Sequence, residues 1–304
     1  MSERSRSASR RSCLSVPGSS PRMLAKATGL DADMIFIDLE DSVAPLEKAE
    51  ARPAAAETVR EGNWGDRVVG IRLNAWDTPW THLDVLEAVA VAGDRLDVVL
   101  LPKVGSPAEV TALDLLLTQA ERNADRAVGS IGVEVQIESA AGLAAVHAIA
   151  AASPRIETIV LGPIDLSASL ELPGPLDGSA LPESVRVTLL VAARAAGVQV
   201  IDGPCTAVRD ADASRAHYGR SRDLGYDGAW VLHPDQIAIA NEVFTPDADA
   251  FARAAQVLEV YAAATTGDRR GAVMFGDEMI DEASRKLAAR VVARGRRAGL
   301  TLPD

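Results

Sequence analysis

Residues 131–165 read IGVEVQIESAAGLAAVHAIAAASPRIETIVLGPID. A run rich in β-branched residues, 131–137, ends in Glu138. An Ala-rich segment of helical spacing follows, and a second apolar run, 158–161, leads to Asp165. Continuous apolar strands of this length, alternating with helices, suit a parallel sheet covered by helices. The same unit recurs outward in both directions. Further apolar runs fall at 13–16, 34–37, 68–73, 98–101, 198–201 and 229–232, which makes eight in all. Between them lie Ala/Leu/Glu/Arg stretches such as 45–60, 107–122 and 183–196. Pro45, Pro107 and Pro182 sit where a first-turn proline fits, Ser106 is placed to cap a helix, and Gly197 stands where a helix stop belongs.

Eight alternations suit an α/β fold closed into a (β/α)8 TIM barrel better than an open sheet. The rival is a doubly wound sheet, which would be favoured by a Gly-rich phosphate turn after the first strand. Val16-Pro17-Gly18-Ser19-Ser20-Pro21 is not such a turn. The barrel is assigned to residues 11–245. Residues 1–10 are Ser/Arg-rich with almost nothing apolar, which predicts a disordered leader, or else a basic arm for a phosphate ligand. Residues 246–304 exceed what a closed barrel needs. Helical spacing at 249–264 and 281–298, around a polar linker at 265–271, predicts a small C-terminal helical extension. Residues 265–304 hold too few apolar side chains for a core of their own. The stripe Ile280, Leu287, Val291 and Val292 must therefore dock on something, with a neighbouring subunit the expected partner.

Composition narrows the function classes. Of 304 residues 48% are apolar, which excludes a disordered chain. Asp and Glu number 43 against 31 Lys and Arg, a net charge of −12. An acidic chain without a dense basic block argues against a nucleic-acid partner. Two cysteines, Cys13 and Cys205, cannot build a disulfide framework or a zinc cage by themselves. No apolar run approaches the roughly 20 residues of a membrane span. The start lacks the apolar region of a signal peptide, so the expected setting is cytoplasmic, with no membrane partner.

In such barrels the chemistry sits at the C-terminal strand ends. Those ends read Pro17-Gly18, Asp38-Leu39-Glu40-Asp41, Arg72 with Asn74, Pro102-Lys103, Glu138, Asp165, Asp202-Gly203-Pro204 and His233-Pro234. So many charged groups converging on one end of an apolar core are hard to explain as structure, because buried charges must be paired or bind an ion. Glu138 and Asp165 end adjacent strands and make a hard-oxygen pair suited to Mg²⁺; the alternative is an Arg-paired buried couple. Arg72 offers a planar cation for a carboxylate or an enolate oxygen, or neutralises Asp38, Glu40 and Asp41, or does both. Lys103 invites a Schiff-base reading, but surrounding carboxylates favour a pairing role. His233, before Pro234, reads as a structural helix entry ahead of a general base. His82, His147 and His217 fall on helices and look ordinary, and Trp64, Trp76, Trp80 and Trp230 are most simply packing residues.

A family resemblance follows from these motifs. Val16-Pro17-Gly18-Ser19, Asp38 through Pro45 (DLEDSVAP), Lys48 with Ala51-Arg52, Ile71-Arg72-Leu73-Asn74, Leu101-Pro102-Lys103-Val104, Ile137-Glu138-Ser139-Ala140-Ala141-Gly142, Leu161-Gly162 through Asp165, and His233-Pro234-Asp235-Gln236-Ile237 recur in the order seen in the aldolase/citrate lyase beta-subunit family. The chain resembles the malyl-CoA lyase branch most, over 11–294. The resemblance implies a barrel of the phosphoenolpyruvate/pyruvate type. Mg²⁺ (Mn²⁺ as a substitute) would lie on Glu138 and Asp165, with Arg72 and Glu138 meeting substrate and Asp38, Glu40, Asp41 and Lys103 in support. It implies reversible carbon–carbon cleavage of a 3-hydroxyacyl-CoA such as malyl-CoA or citramalyl-CoA, giving an acyl-CoA and a 2-oxo acid. It further implies a C-terminal lid that closes a neighbouring subunit's site in a homotrimer or homohexamer, with Asp281 as acid/base. That branch carries an aromatic where this chain has Ser15 and an arginine where it has Ser20; Lys26 keeps the matching basic position, Arg22 lies close by, and Pro204 adds a substrate contact. A CoA-independent class II aldolase, a malyl-CoA-type thioesterase and a non-catalytic CoA-ester binder are the alternatives.

Overall fold

The computed structural model describes residues 3–175, 177–266 and 271–302. The chain divides into two compact units, Met1–Glu242 and Val243–Asp304.

The first unit is a closed parallel barrel. Its strands are β1 (Ser12–Pro17), β2 (Met34–Asp38), β3 (Val68–Arg72), β4 (Val98–Leu101), β5 (Gly132–Ile137), β6 (Ile156–Leu161), β7 (Gln199–Asp202) and β8 (Gly228–Val231). Each pairs with the next, and β8 closes on β1 with Cys13 opposite Trp230. The helices in chain order are α1 (Glu3–Ser7), α2 (Pro21–Ala27), α3 (Lys48–Glu61), α4 (Thr81–Ala92), α5 (Pro107–Asn123), α6 (Ala140–Ala150), α7 (Pro163–Ser169), α8 (Glu183–Ala196), α9 (Ala211–Leu224) and α10 (Asp235–Phe244). All eight apolar runs are strands, as fits strands whose two faces are both covered and mostly apolar.

Local signals fare unevenly. Gly197 caps α8 in the left-handed region at φ 73°, where a side chain would be strained. Pro182 takes the N-cap position of α8, one place ahead of the first turn. Ser106 occupies the N-cap of α5, but its hydroxyl turns to Glu109 and caps no amide.

Strand alternation sends every second residue inward. Cys13, Met34, Phe36, Val68, Val98, Leu100, Val160, Ile201 and Trp230 form one buried cluster, drawn from every strand except β5. On β5 the matching positions are polar: Glu134, Gln136 and Glu138, all almost fully buried. A polar stripe therefore runs up one wall of the barrel. At the base, Glu134 and Glu157 hold Arg10, with Nε 2.8 Å from Glu134 and Nη2 2.7 Å from Glu157. Ser5 Oγ donates to the other Glu157 oxygen at 2.7 Å. This corrects the expected disordered leader, of which residues 1–2 lie outside the described residues. A Ser/Arg-rich segment has no apolar face, yet its serine and arginine satisfy two buried carboxylates.

The second unit contains α11 (Ala248–Thr266), an antiparallel hairpin of β9 (Val273–Phe275) and β10 (Glu278–Ile280), and α12 (Glu282–Arg297). Phe251, Ala254, Val257 and Tyr261 of α11 share a core with Ile280, Ala288 and Val292. The approach is tight enough that a Cβ on Gly295 would lie 2.3 Å from the Phe251 ring. Residues 265–304 thus find their apolar partner in the preceding helix of the same unit, so the stripe does not require another subunit. Leu287 is the exception, being 65% exposed. The hairpin was not expected, and most of the linker read at 265–271 lies outside the described residues.

Candidate active site

Arg72 ends β3 beneath the barrel mouth and is 5% exposed. Its Nε donates to Asp38 Oδ1 at 2.7 Å and its Nη2 to Asp38 Oδ2 at 2.6 Å, a fork-on-fork pair. Nη1 lies 2.9 Å from Glu40 Oε2. Burial alone would weaken this guanidinium, but Asp38, then Glu40 and Glu138, outweigh it and raise it further. Burial also opposes ionisation of Asp38, and Arg72 reverses the balance so that Asp38 is held below the usual carboxylate range. Glu40 makes an ion pair with Nη1 but no hydrogen bond, so N–H groups on both terminal nitrogens remain for another oxygen.

Lys103 completes the far side. Its Nζ sits 2.6 Å from Glu40 Oε1 and 3.3 Å from Asp41 Oδ1. Burial pushes that amine down, but Glu40 and Asp41 raise it strongly overall, so it stays an ammonium and the pairing role is the one observed. The backbone of Lys103 is left-handed at φ 53°, a conformation costing a non-glycine residue about 1 kcal/mol or more. That twist aims its N–H at Glu138 Oε1, 2.7 Å away.

Glu138, 2% exposed, takes a second neutral donor on Oε2 from Gln136 Nε2 at 2.5 Å. Burial, then the charges of Glu40 and Asp165, push its carboxyl up to about 8. Gly162 makes room for it, since a Cβ there would lie 2.5 Å from Glu138 Oε2. Asp165 is not at a strand end as expected. Strand β6 stops at Leu161, and Asp165 is exposed in the first turn of α7, still close enough to raise Glu138. Gln136 Oε1 and Asn74 Oδ1 are buried without a hydrogen-bond partner among the described residues.

Other strand-end residues turn away from this cluster. Asn74 gives its N–H and its Nδ2 to Asp84. Asp202 pairs with Arg186 and accepts from Ser221, beneath a cavity of about 310 Å³ that Pro204, Cys205 and His217 also line. Pro204 is thus placed apart from Lys26 and Arg22. Those two, one helical turn apart on α2, line a larger cavity of about 610 Å³ with Ser15, Ser20, Met23 and His233. His233 is tied to the entry of α10, where its Nδ1 meets the Asp235 N–H at 3.2 Å. Asp281 caps α12, accepting from the Ala283 and Ser284 amides; these bonds, the Ser284 amide foremost, hold it below the usual range. Sequence reasoning missed Trp230, whose ring lies over the Arg72 guanidinium with Cζ 4.8 Å from the centroid.

Residues 11–234 match the HpcH/HpaI aldolase/citrate lyase family model. The chain belongs to the HpcH/HpaI aldolase/citrate lyase family. It is 39% identical over 292 residues to an L-malyl-CoA/beta-methylmalyl-CoA lyase of Cereibacter sphaeroides, covering 91% of each chain. It is equally identical over a shorter 236 residues to a (3S)-malyl-CoA thioesterase of the same organism, covering 78% of this chain and 77% of that one. Among solved structures, the protein CitE from Mycobacterium tuberculosis, in complex with magnesium, acetoacetate and coenzyme A, aligns with a TM-score of 0.74 and 29% identity over 97% of this chain and all of that one. The motifs at the mouth of the barrel therefore lie within the matched region, whereas Asp281 falls beyond it.

Proposed function

We propose that this family member is a Mg²⁺-dependent lyase that reversibly cleaves a 3-hydroxyacyl-CoA of the malyl-CoA type into an acyl-CoA and a 2-oxo acid. The observation that carries the reading is the mouth itself: a surplus of carboxylates around one fixed guanidinium, beside a cavity with two basic residues. The donor set fits the metal. Glu138 receives only neutral donors, Asp165 lies close to it, and Gly162 leaves space where a side chain would intrude. Two hard carboxylates with room for water and substrate oxygens suit Mg²⁺, with Mn²⁺ as a substitute. Bound there, the ion would supply Lewis-acid polarisation of the oxo acid and offset the carboxylate charge.

The chain's own residues do the rest. Arg72, held by Asp38 and paired with Glu40, keeps N–H groups on both terminal nitrogens for the thioester oxygen that gains charge as the C2–C3 bond breaks, while the C3 hydroxyl proton is lost to solvent and C3 becomes the carbonyl carbon of the 2-oxo acid. Lys103 holds Glu40 and, through its backbone, Glu138. Lys26 and Arg22 line the larger cavity and supply charge for the phosphates of CoA. Asp281 of a neighbouring chain is the proposed acid that returns a proton to the enolate carbon, in a homotrimer or homohexamer; its alternative is the capping role alone. Free buried thiols at Cys13 and Cys205, and no helix among the described residues able to cross a membrane, agree with a cytoplasmic setting.

The test incubates the purified protein with Mg²⁺, glyoxylate or pyruvate, and a panel of acyl-CoAs, with products read by mass. Condensation to a 3-hydroxyacyl-CoA supports the lyase. Release of free CoA and a hydroxy acid from malyl-CoA would favour the thioesterase reading, which the second relative motivates. Cleavage of a CoA-free 4-hydroxy-2-oxo acid alone would favour the class II aldolase.

A further inference from the structure

Trp230 lies on β8 inside the barrel, opposite Cys13 of β1, and is 6% exposed. Three contacts fix its ring. Its Nε1–H donates to Ser15 Oγ at 2.8 Å. Phe36 meets it edge-on, centroids 5.1 Å apart at 73°. Its face carries the Arg72 guanidinium at 4.8 Å. Asp38 hydrogen-bonds Arg72 along one edge of the fork, through Nε and Nη2, and Glu40 adds an ion pair at Nη1 that is not a hydrogen bond. In-plane bonds resist sliding but do little against rocking out of the plane. The direction in which the spare N–H groups point depends on that tilt, and the flat surface that sets it is the indole.

We infer that Trp230 is a positioning residue for carbon–carbon cleavage, fixing the tilt of Arg72, and that the Ser15 hydroxyl fixes Trp230 in turn. The inference rests on the lyase reading above. An apolar ring beneath the guanidinium also keeps water off that face, which strengthens what its edge offers to a developing oxyanion. Ser15 lines the larger cavity, so the side chain that anchors the ring also borders the space given to CoA.

A double-mutant cycle in the full-length protein with Mg²⁺ separates this role from packing. Trp230→Leu is expected to lower kcat about tenfold while the KM for the acyl-CoA moves by less than about twofold. Trp230→Phe keeps a ring and should recover most of that loss. Ser15→Ala removes one hydrogen bond and should cost about threefold. In an Arg72→Lys background, Trp230→Leu should add less than about twofold, since a lysine has no plane to orient. If it costs the same factor in both backgrounds, or if kcat holds and only the melting temperature falls, Trp230 is a packing residue and the inference is overturned. If Trp230→Leu fails to fold, Trp230→Phe and Ser15→Ala decide alone: two variants with unchanged kcat overturn it. A wild-type chain inactive on every acyl-CoA overturns the lyase reading and this inference with it, whereas an active chain with an additive cycle overturns only the inference.

Discussion

The barrel carries a buried ionic cluster at each end, and the two differ in how they are closed. At the base, Glu134 and Glu157 share Arg10, and Ser5 occupies the remaining Glu157 oxygen. At the mouth, Asp38, Glu40, Asp41, Glu138 and Asp165 gather around Arg72 and Lys103, with Lys48 behind them on the carbonyls of Leu39 and Glu40. Each end also keeps a glycine where a Cβ would strike a carboxylate: Gly132 against Glu157 and Gly162 against Glu138. Burial of charge is therefore common to both and does not mark a site. What distinguishes the mouth is that both base glutamates are ion-paired with Arg10 whereas Glu138 has only neutral donors, and that buried oxygens on Gln136 and Asn74 lack a hydrogen-bond partner among the described residues.

The largest expected effect breaks the mouth alone. Asp165→Asn should abolish turnover with little change in unfolding temperature, because the residue is exposed and no ion pair is lost with it. Excess EDTA should do the same to the wild type, and full activity in EDTA would defeat the metal reading. Next, Arg72→Lys keeps the charge and loses the fork, so kcat should fall about 10²-fold, the scale for one preorganised oxyanion donor. A KM that rises while kcat holds would instead indicate uniform substrate binding.

The base should answer in the opposite currency. Arg10→Ala strands two buried carboxylates and should cost about 3–5 kcal/mol of stability in urea unfolding, while activity per folded molecule stays near that of the wild type. A variant as stable as the wild type would show that the base cluster holds nothing together.

A subtler contrast lies in pH. Glu138 ionises at about 8 in the folded chain against an ordinary 4.5. Between those values the folded state binds more protons than the unfolded state, so metal-free protein should lose stability as pH rises through that interval. The stabilisation gained from Mg²⁺ should grow over the same interval, since the ion competes with the proton. Melting curves with and without Mg²⁺ check both trends, and Glu138→Gln should flatten the first. The smallest effect is expected away from the cluster. Lys26→Ala or Arg22→Ala should raise the KM for acyl-CoA a few-fold at low salt and less at high salt, because exposed charges are screened within about 10 Å at 0.1 M.

The barrel was legible because strands buried on both faces are mostly apolar and because Gly and Pro mark the helix ends. The mouth was legible because polar residues at strand ends have nowhere to go but the rim. Arg10 was not, since a Ser/Arg-rich stretch looks solvated until its buried partners on β5 and β6 are known. Asp165 was misplaced by four residues because Gly162-Pro163 reads equally as strand end or helix start. Trp230 read as packing because nothing local shows which strand its ring faces. The second unit's core was missed because α11 carries half of it, and neither helix alone discloses its partner.

The seam between β1 and β8 also has a consequence for how the molecule comes to work. Ser15 and Trp230 stand 215 positions apart, and Arg10 and Glu157 stand 147 apart. At roughly 5–20 residues per second of synthesis, Ser15 waits on the order of ten seconds or more for its indole. Contacts so distant in sequence form late, after the entropy of closing very long loops has been met. Enzymatic activity should therefore be the last signal to appear in refolding, trailing far-ultraviolet ellipticity, because the guanidinium acquires its floor only when the first strand meets the last.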